Sequence, residues 1–347
     1  MGPCALPGVV QWMADGMRIQ QTVPAEDTQL LFREPGVLTG FRPEGKSWSH
    51  YLLSVGQVHN ESVNIWSHLL GFCVILCTMH RYLTVDIGYD NSHWFVVFAF
   101  GICCLIYTGT STFAHTFHSK SALLHYTCFQ IDYIGIGYFS LGFAIITFHC
   151  SCHRHCNLFS EYFFLTANVL LSWVGFFCSS VAKLRYSRPY PLRRKLWNVC
   201  SFGSQGLVVF GLVMFRHRDC WFDDFCSMSS LNHHTSVFIT AFISIFFFSS
   251  HFPERFFPGR FDIVGQGHQI FHLLCVTGTL LEFKAAYVDL IANDNGRLET
   301  GKFQPDTSAI FGAMIAYGIL SLGTLVLLSP YTKRKIQQDL QISDKCQ

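Results

Sequence analysis

Charge is what this sequence has least of: Asp, Glu, Lys and Arg make up 13% of its 347 residues, where soluble chains carry about 25%. The deficit is concentrated in long stretches with almost none, which excludes an ordinary soluble globular chain. With a net charge of +2 and no Lys/Arg run interleaved with stacking aromatics, a nucleic-acid partner is also excluded. A secretory signal is missing, because MGPCALPGVV has no basic residue ahead of its short apolar run. The first span is therefore expected to direct insertion. Gly2 follows Met1, but Leu6 stands where a myristoylation pattern needs Ser or Thr, leaving Cys4 as a weak palmitoylation candidate. No repeat or low-complexity tract stands out. The 15 Cys do not read as a disulfide framework, since Cys73, Cys77, Cys103, Cys104, Cys128 and Cys178 fall in apolar spans where a thiol acts as a small hydrophobe.

What is present is apolar: 50% hydrophobic and 16% aromatic residues, with a mean hydropathy of +0.31. A bilayer core is crossed by about 20 mainly apolar helical residues. At that length the spans fall at 62–80, 94–117, 122–148, 160–182, 197–215, 235–252, 268–291 and 307–329. The fifth is the weakest, diluted by Asn198, Ser201, Ser204 and Gln205 before GLVVFGLVMF restores its character. The expected fold class is an all-α integral membrane protein. A polar N-terminal segment (1–61) precedes a seven-helix core (62–291), an extracellular loop (292–306), an eighth transmembrane helix (307–329) and a tail (330–347). Lys and Arg divide 17 against 7 between the two sides, the larger number on the N-terminal side. Cytoplasmic loops are enriched in these residues, so both termini are expected in the cytoplasm. The sequon Asn60-Glu61-Ser62 then stays unmodified.

Three polar sets interrupt the spans, and ionisable groups inside a membrane read first as functional. Ser111 and His115 close the second span, Asp132 follows early in the third, and His268 and His272 open the seventh. All three sets fall at cytoplasmic span ends. Each pair is four residues apart and so shares one helical face. Three neutral imidazoles form a common catalytic zinc arrangement, with a fourth position for water. Asp132 suits a proton acceptor beside that water, and Ser111 a donor to a developing oxyanion. The competing reading is a hydrogen-bonded polar cluster without metal.

At these residues the chain resembles the progestin and adipoQ receptor family. The matching marks are Glu61-x2-Asn64-x2-Ser67-His68, Ser111-x3-His115 with Asp132, and PERFFPGRFD leading into GHQIFH at 253–272. LFREPGVLTGFRP at 31–43 and the eighth span resemble the membrane progestin receptor branch, with Phe41 where Tyr is usual. The resemblance implies a seven-helix zinc-containing core with a cytoplasmic N-terminus, kinship to ceramide-hydrolysing membrane enzymes, and plasma-membrane receptors for progestins. His59, Glu61, Asn64 and His68 read as a polar stripe at the first helix entrance, either capping it or touching a ligand.

Three further features stay open at this level. HCSCHRHC at 149–156 falls on the outer side, where one or two disulfides among Cys150, Cys152, Cys156, Cys220 and Cys226, with at least one thiol left free, are expected over a metal site. The basic stretch from Arg188 to Lys195 is topogenic, or meets anionic lipid or a heterotrimeric G protein. Glu282 and Lys284 lie about 15 Å along the helix from His272, and with Gln205 they form either internal polar pairs or anchors for a steroid. The resemblance implies one function, a receptor for a steroid or other lipid ligand; the polar site itself suggests another, a zinc amidohydrolase in which Asp132 serves as base. A purely structural zinc tying the second helix to the seventh is a third.

Overall fold

The computed structural model describes residues 19–87, 93–151, 158–188, 190–222, 228–292 and 305–346. Eight long helices carry the chain: α1 (Ser62–Arg81), α2 (Trp94–Phe117), α3 (Ala122–Ser151), α4 (Leu158–Arg185), α5 (Leu192–Phe222), α6 (Met228–Ser250), α7 (Gly267–Tyr287) and α8 (Thr307–Cys346). Helix is the expected solution, because in hydrocarbon each backbone N–H and C=O must find its partner within the segment. The chain is a multi-pass membrane protein; six of the eight expected spans lie wholly on one of these helices, while 235–252 runs past the end of α6 and 268–291 past the end of α7 into a π-helical turn.

Seven of the eight are long and apolar enough to cross a membrane on composition alone. The exception is α7, diluted by His268, Gln269, His272, Glu282 and Lys284. At 1.5 Å per residue its 21 residues still reach about 31 Å, the thickness of the hydrocarbon layer. The weak fifth span is a continuous helix, α5.

Neighbours in sequence are neighbours in space: α2 packs along α3, α6 along α7, and α4 along α5, while α1 contacts both α2 and α7 and closes the ring. Of those seven apolar helices, α3 is the most enclosed, and it also touches α5 and α7. Ile75, Phe100, Leu141, Ile145, Phe176 and Phe283 form the fully buried centre of the core. Outside the ring, α8 lies on α4 and α3. Trp173 Nε1 donates to Thr324 Oγ1 at 2.9 Å, and Tyr317 Oη to the Ile134 carbonyl at 3.0 Å. A Cβ at position 137 would run into the Tyr317 hydroxyl, so only glycine there lets α8 approach α3. The helix continues past the expected end of its span to Cys346. Its distal part returns to the bundle through Asp339, which accepts from Tyr126 and, at 3.0 Å, from Ser187.

The N-terminal segment folds over one end of the bundle. An isolated antiparallel bridge pairs Val23 with Phe41, and a short helix, Trp48–Leu53, follows. The two sequence marks, LFREPGVLTGFRP and PERFFPGRFD, are packed on each other. Asp262 accepts from Leu38 N at 2.9 Å and Thr39 Oγ1 at 2.6 Å, and Gly259 N donates to Gly36 O at 3.0 Å. Gly36 has φ +82°, and an added Cβ would collide with the Glu254 carbonyl. Both conditions select glycine there.

Candidate metal centre

At this end the polar residues of α1, α2 and α7 meet. The ligand nitrogens of His115, His268 and His272 all lie within 4.8 Å of one another. His115 Nε2 and His268 Nε2 are 3.4 Å apart. Two nitrogens on one tetrahedral zinc at about 2.0–2.1 Å stand about 3.4 Å apart. The three rings are buried or nearly so, with His115 and His272 each 2% exposed.

Outer partners fix which nitrogen points inward. His115 Nδ1 meets Glu61 Oε2 at 2.8 Å, which directs Nε2 towards the other rings. His272 Nδ1 is 3.2 Å from both the Asn64 carbonyl and the Ser67 hydroxyl, with the same result. Glu61 is itself held, accepting from Asn64 Nδ2 at 2.7 Å and meeting His118 Nε2 at 3.3 Å. Such second partners are the usual means of fixing a ligand imidazole's tautomer and angle. His68 stacks flat on His272, ring centres 3.7 Å apart.

The residues present fit a metal ion. Both His68 nitrogens are buried here without a hydrogen-bond partner. Unmatched buried polar atoms are costly, and a cation with its bound water offers a partner for them. Asp132, buried on α3, has His115 and the Ser111 hydroxyl as its electrostatic neighbours.

The backbone around the centre is tied down by charged side chains. Arg42 donates to the Thr116 carbonyl at 2.8 Å and the His115 carbonyl at 2.6 Å, closing the C-terminal turn of α2, and to Ser54 Oγ at 3.1 Å. Burial lowers Arg42 to about 10, which still leaves it charged. Burial and the nearby Arg42 push His59 down to about 3, so it sits beside Arg42 as a neutral ring. On α7, Glu254 accepts from Gly267 N at 2.7 Å, and Gln269 Oε1 accepts from Gly265 N at 2.7 Å and Gln266 N at 3.2 Å. These satisfy the free amides of the turn that carries His268.

All five residues singled out for chemistry, Ser111, His115, Asp132, His268 and His272, thus come together at one end of the bundle. Glu61 and Asn64 of the polar stripe, with Ser67 of the neighbouring motif, hydrogen-bond the histidines or one another. His118 escaped the sequence reading, although its place three residues after His115 puts it one turn along the same face.

The residues expected as steroid anchors are not gathered in one place. Gln205 Nε2 donates to Ser172 Oγ at 2.9 Å and Asn168 Oδ1 at 3.2 Å, a clasp between α5 and α4. Glu282 is buried against Thr147 and His234. Lys284 is exposed, with its ammonium 4.9 Å from the Tyr287 ring centre. Of the five outer cysteines, Cys220 is disulfide-bonded, in line with a disulfide on this side, and Cys150 is a free, fully buried thiol, because the last turn of α3 points it into the bundle. Cys152, Cys156 and Cys226 lie outside the described residues.

Comparison with known proteins agrees with this architecture. The family described as "Haemolysin-III related" matches residues 56–283, from the α1 entrance through most of α7. Membrane progestin receptor beta of Homo sapiens is 34% identical over 82% of this chain and 80% of its own length. The Sus scrofa protein of that name is 32% identical over 96% and 93%, respectively. Membrane progestin receptor alpha of Homo sapiens is 30% identical over 91% and 90%. Full-length relatives and a motif-built histidine centre lead to one assignment: this chain belongs to the haemolysin-III related family, in its progestin and adipoQ receptor group, on the membrane progestin receptor branch.

Proposed function

We propose that this protein is a plasma-membrane receptor for a progestin-like steroid, with zinc held by His115, His268 and His272. The observation that carries the receptor reading is the near full-length match to proteins named membrane progestin receptors, including α8 and the N-terminal segment. A hydrophobic ligand reaches a helix bundle from the bilayer, and polar groups inside the bundle then fix its orientation. Gln205 and Glu282, both buried between helices, are the candidates for that role, with Lys284 at the lipid-facing rim. The 17-to-7 division of Lys and Arg supports a cytoplasmic N-terminal face. On that face, Arg193, the exposed basic residue of the run from Arg188 to Lys195, is offered to a heterotrimeric G protein.

Zinc bound to three imidazoles acts as a Lewis acid and lowers the pKa of its water. In the receptor its main effect is mechanical: one ion joins the end of α2 to the start of α7. Asp132 and Ser111 would accept and donate hydrogen bonds beside the ion, so hydrolysis of a ceramide-like amide is the outcome to test against.

The test uses the full chain purified into lipid nanodiscs, with labelled progesterone as probe and metal content measured on the same sample. Saturable, displaceable binding with about one zinc or more per chain is expected. His268→Ala with His272→Ala should strip zinc from this centre. Absence of displaceable binding would overturn the receptor reading. Ceramide hydrolysis lost in Asp132→Asn, with zinc retained, would move the assignment to an amidohydrolase.

A further inference from the structure

A second group of metal-binding side chains lies at the other end of the bundle. Cys150 ends α3, about 27 Å along that helix from Asp132 at 1.5 Å per residue. Beside it stand His234 from the start of α6 and Asp289 from the π-helical turn Val288–Ala292 that follows α7. The Cys150 thiol, a His234 ring nitrogen and an Asp289 carboxylate oxygen all lie within 4.8 Å of one another. Glu282, two turns before Asp289 on the same face, puts Oε2 3.3 Å from His234 Nδ1. All four side chains are buried, with Cys150, His234 and Glu282 at 0% and Asp289 at 1% exposure.

Two features separate this group from an ordinary buried ion pair. First, the His234 ring lies between two carboxylates, Nε2 3.0 Å from Asp289 Oδ2 and Nδ1 3.3 Å from Glu282 Oε2, with the Cys150 thiol buried beside it. Secondly, each carboxylate is gripped from behind. Thr147 Oγ1 donates to Glu282 Oε1 at 3.0 Å, and Arg216 of α5 donates to both oxygens of Asp289, one of them at 2.6 Å. Fixed outer partners behind carboxylates and an imidazole are how ligand sets are preoriented.

The geometry points to a second metal site, formed by Cys150, His234 and Asp289, that takes a zinc-class divalent ion. A sulfur, a nitrogen and carboxylate oxygens suit zinc and not magnesium or calcium, which take oxygen ligands alone. Charge agrees: a thiolate and two carboxylates against the Arg216 guanidinium leave two negative charges, which a divalent ion neutralises. The ion fastens α3, α6 and α7 at the end remote from the histidine centre.

Cobalt distinguishes the two sites, because the histidine centre contains no sulfur. Full-length protein in nanodiscs, stripped with chelator and reloaded with Co2+, should show a near-ultraviolet thiolate-to-cobalt charge-transfer band. His268→Ala should keep that band, while Cys150→Ser and His234→Ala should lose it. Zinc content should fall by one equivalent in Cys150→Ser and by a different equivalent in His268→Ala. Size-exclusion profiles report whether each variant is folded. Should Cys150→Ser fail to fold, the wild-type band and a count of two equivalents still decide the matter. A wild-type protein without the band, or folded Cys150→Ser with unchanged zinc and spectrum, would overturn the proposal and leave His234 as an ordinary bridge between two carboxylates.

Discussion

The two ends of this bundle bury charge by different means. At the histidine end the polar groups are mostly imidazoles, and their partners come from outside the helices: Arg42 and Glu61 from the N-terminal segment, and Glu254 from the loop before α7. At the opposite end the helices supply everything themselves, with Arg216 and Asp289 locked in a doubly hydrogen-bonded pair and His234 and Glu282 beside it. A centre whose backbone is held by loops can shift when those loops shift. One assembled from four helix-borne groups moves only if the bundle repacks. A ligand-responsive protein is well served by having the adjustable end and the fixed end on opposite faces.

The sharpest way to break this comparison is at Arg216. Arg216→Met leaves Asp289 buried without its guanidinium, and losing one partner of a buried pair costs about 3–5 kcal/mol. A large drop in thermal unfolding temperature is expected in nanodiscs, together with poor recovery of folded protein. A variant as stable as the wild type would show that this end is not the fixed one.

The next effect belongs to the histidine end. Glu61→Gln keeps the shape of the side chain but weakens its hold on His115, and loss of an outer partner lowers metal affinity about 10–100-fold. Competition with a chelator of known affinity measures this, and unfolding temperature should change far less than in Arg216→Met.

Acid provides a third comparison. Arg188, between α4 and α5, pairs with Glu34 of the N-terminal segment. Burial alone would raise Glu34, but the guanidinium prevails and lowers it from 4.5 to about 2. A carboxyl depressed in the folded state contributes its full stabilisation above the unfolded value of 4.5 and loses it as pH falls towards about 2. Proteolysis of the N-terminal segment should therefore accelerate across that window, and Glu34→Gln should flatten the dependence. The smallest effect is expected at Gln205. Gln205→Leu removes an interhelical clasp of the kind worth about 0.6 kcal/mol on average in membrane bundles. A loss of steroid binding much larger than that stability change would mark Gln205 as a ligand contact.

The same contrast explains what could be read in advance. His115 and His268–His272 were legible because each pair of polar residues sits four apart on one helix, at span ends that the charge distribution places on one face. Their partner Glu61 was visible as a motif position, but its grip on His115 was not. The Cys150 group was illegible, since its members are separated by 84, 48 and 7 residues along the chain, and no periodicity links Cys150 to His234. Reading Cys150 with its neighbours Cys152 and Cys156 suggested a disulfide, because proximity in sequence was the only proximity available.

The sequence by itself determined the membrane character, the eight helices and the end of the bundle where the histidines collect. Those properties follow from local composition, helical periodicity and the bilayer's demand for internally satisfied backbone. Only the tertiary structure decided which imidazole nitrogens face inward, that Arg42 ties the end of α2, that Gln205, Glu282 and Lys284 part company, and that Cys150 joins His234 and Asp289. Each of these depends on how helices distant in sequence turn their faces towards one another, which packing fixes and periodicity does not.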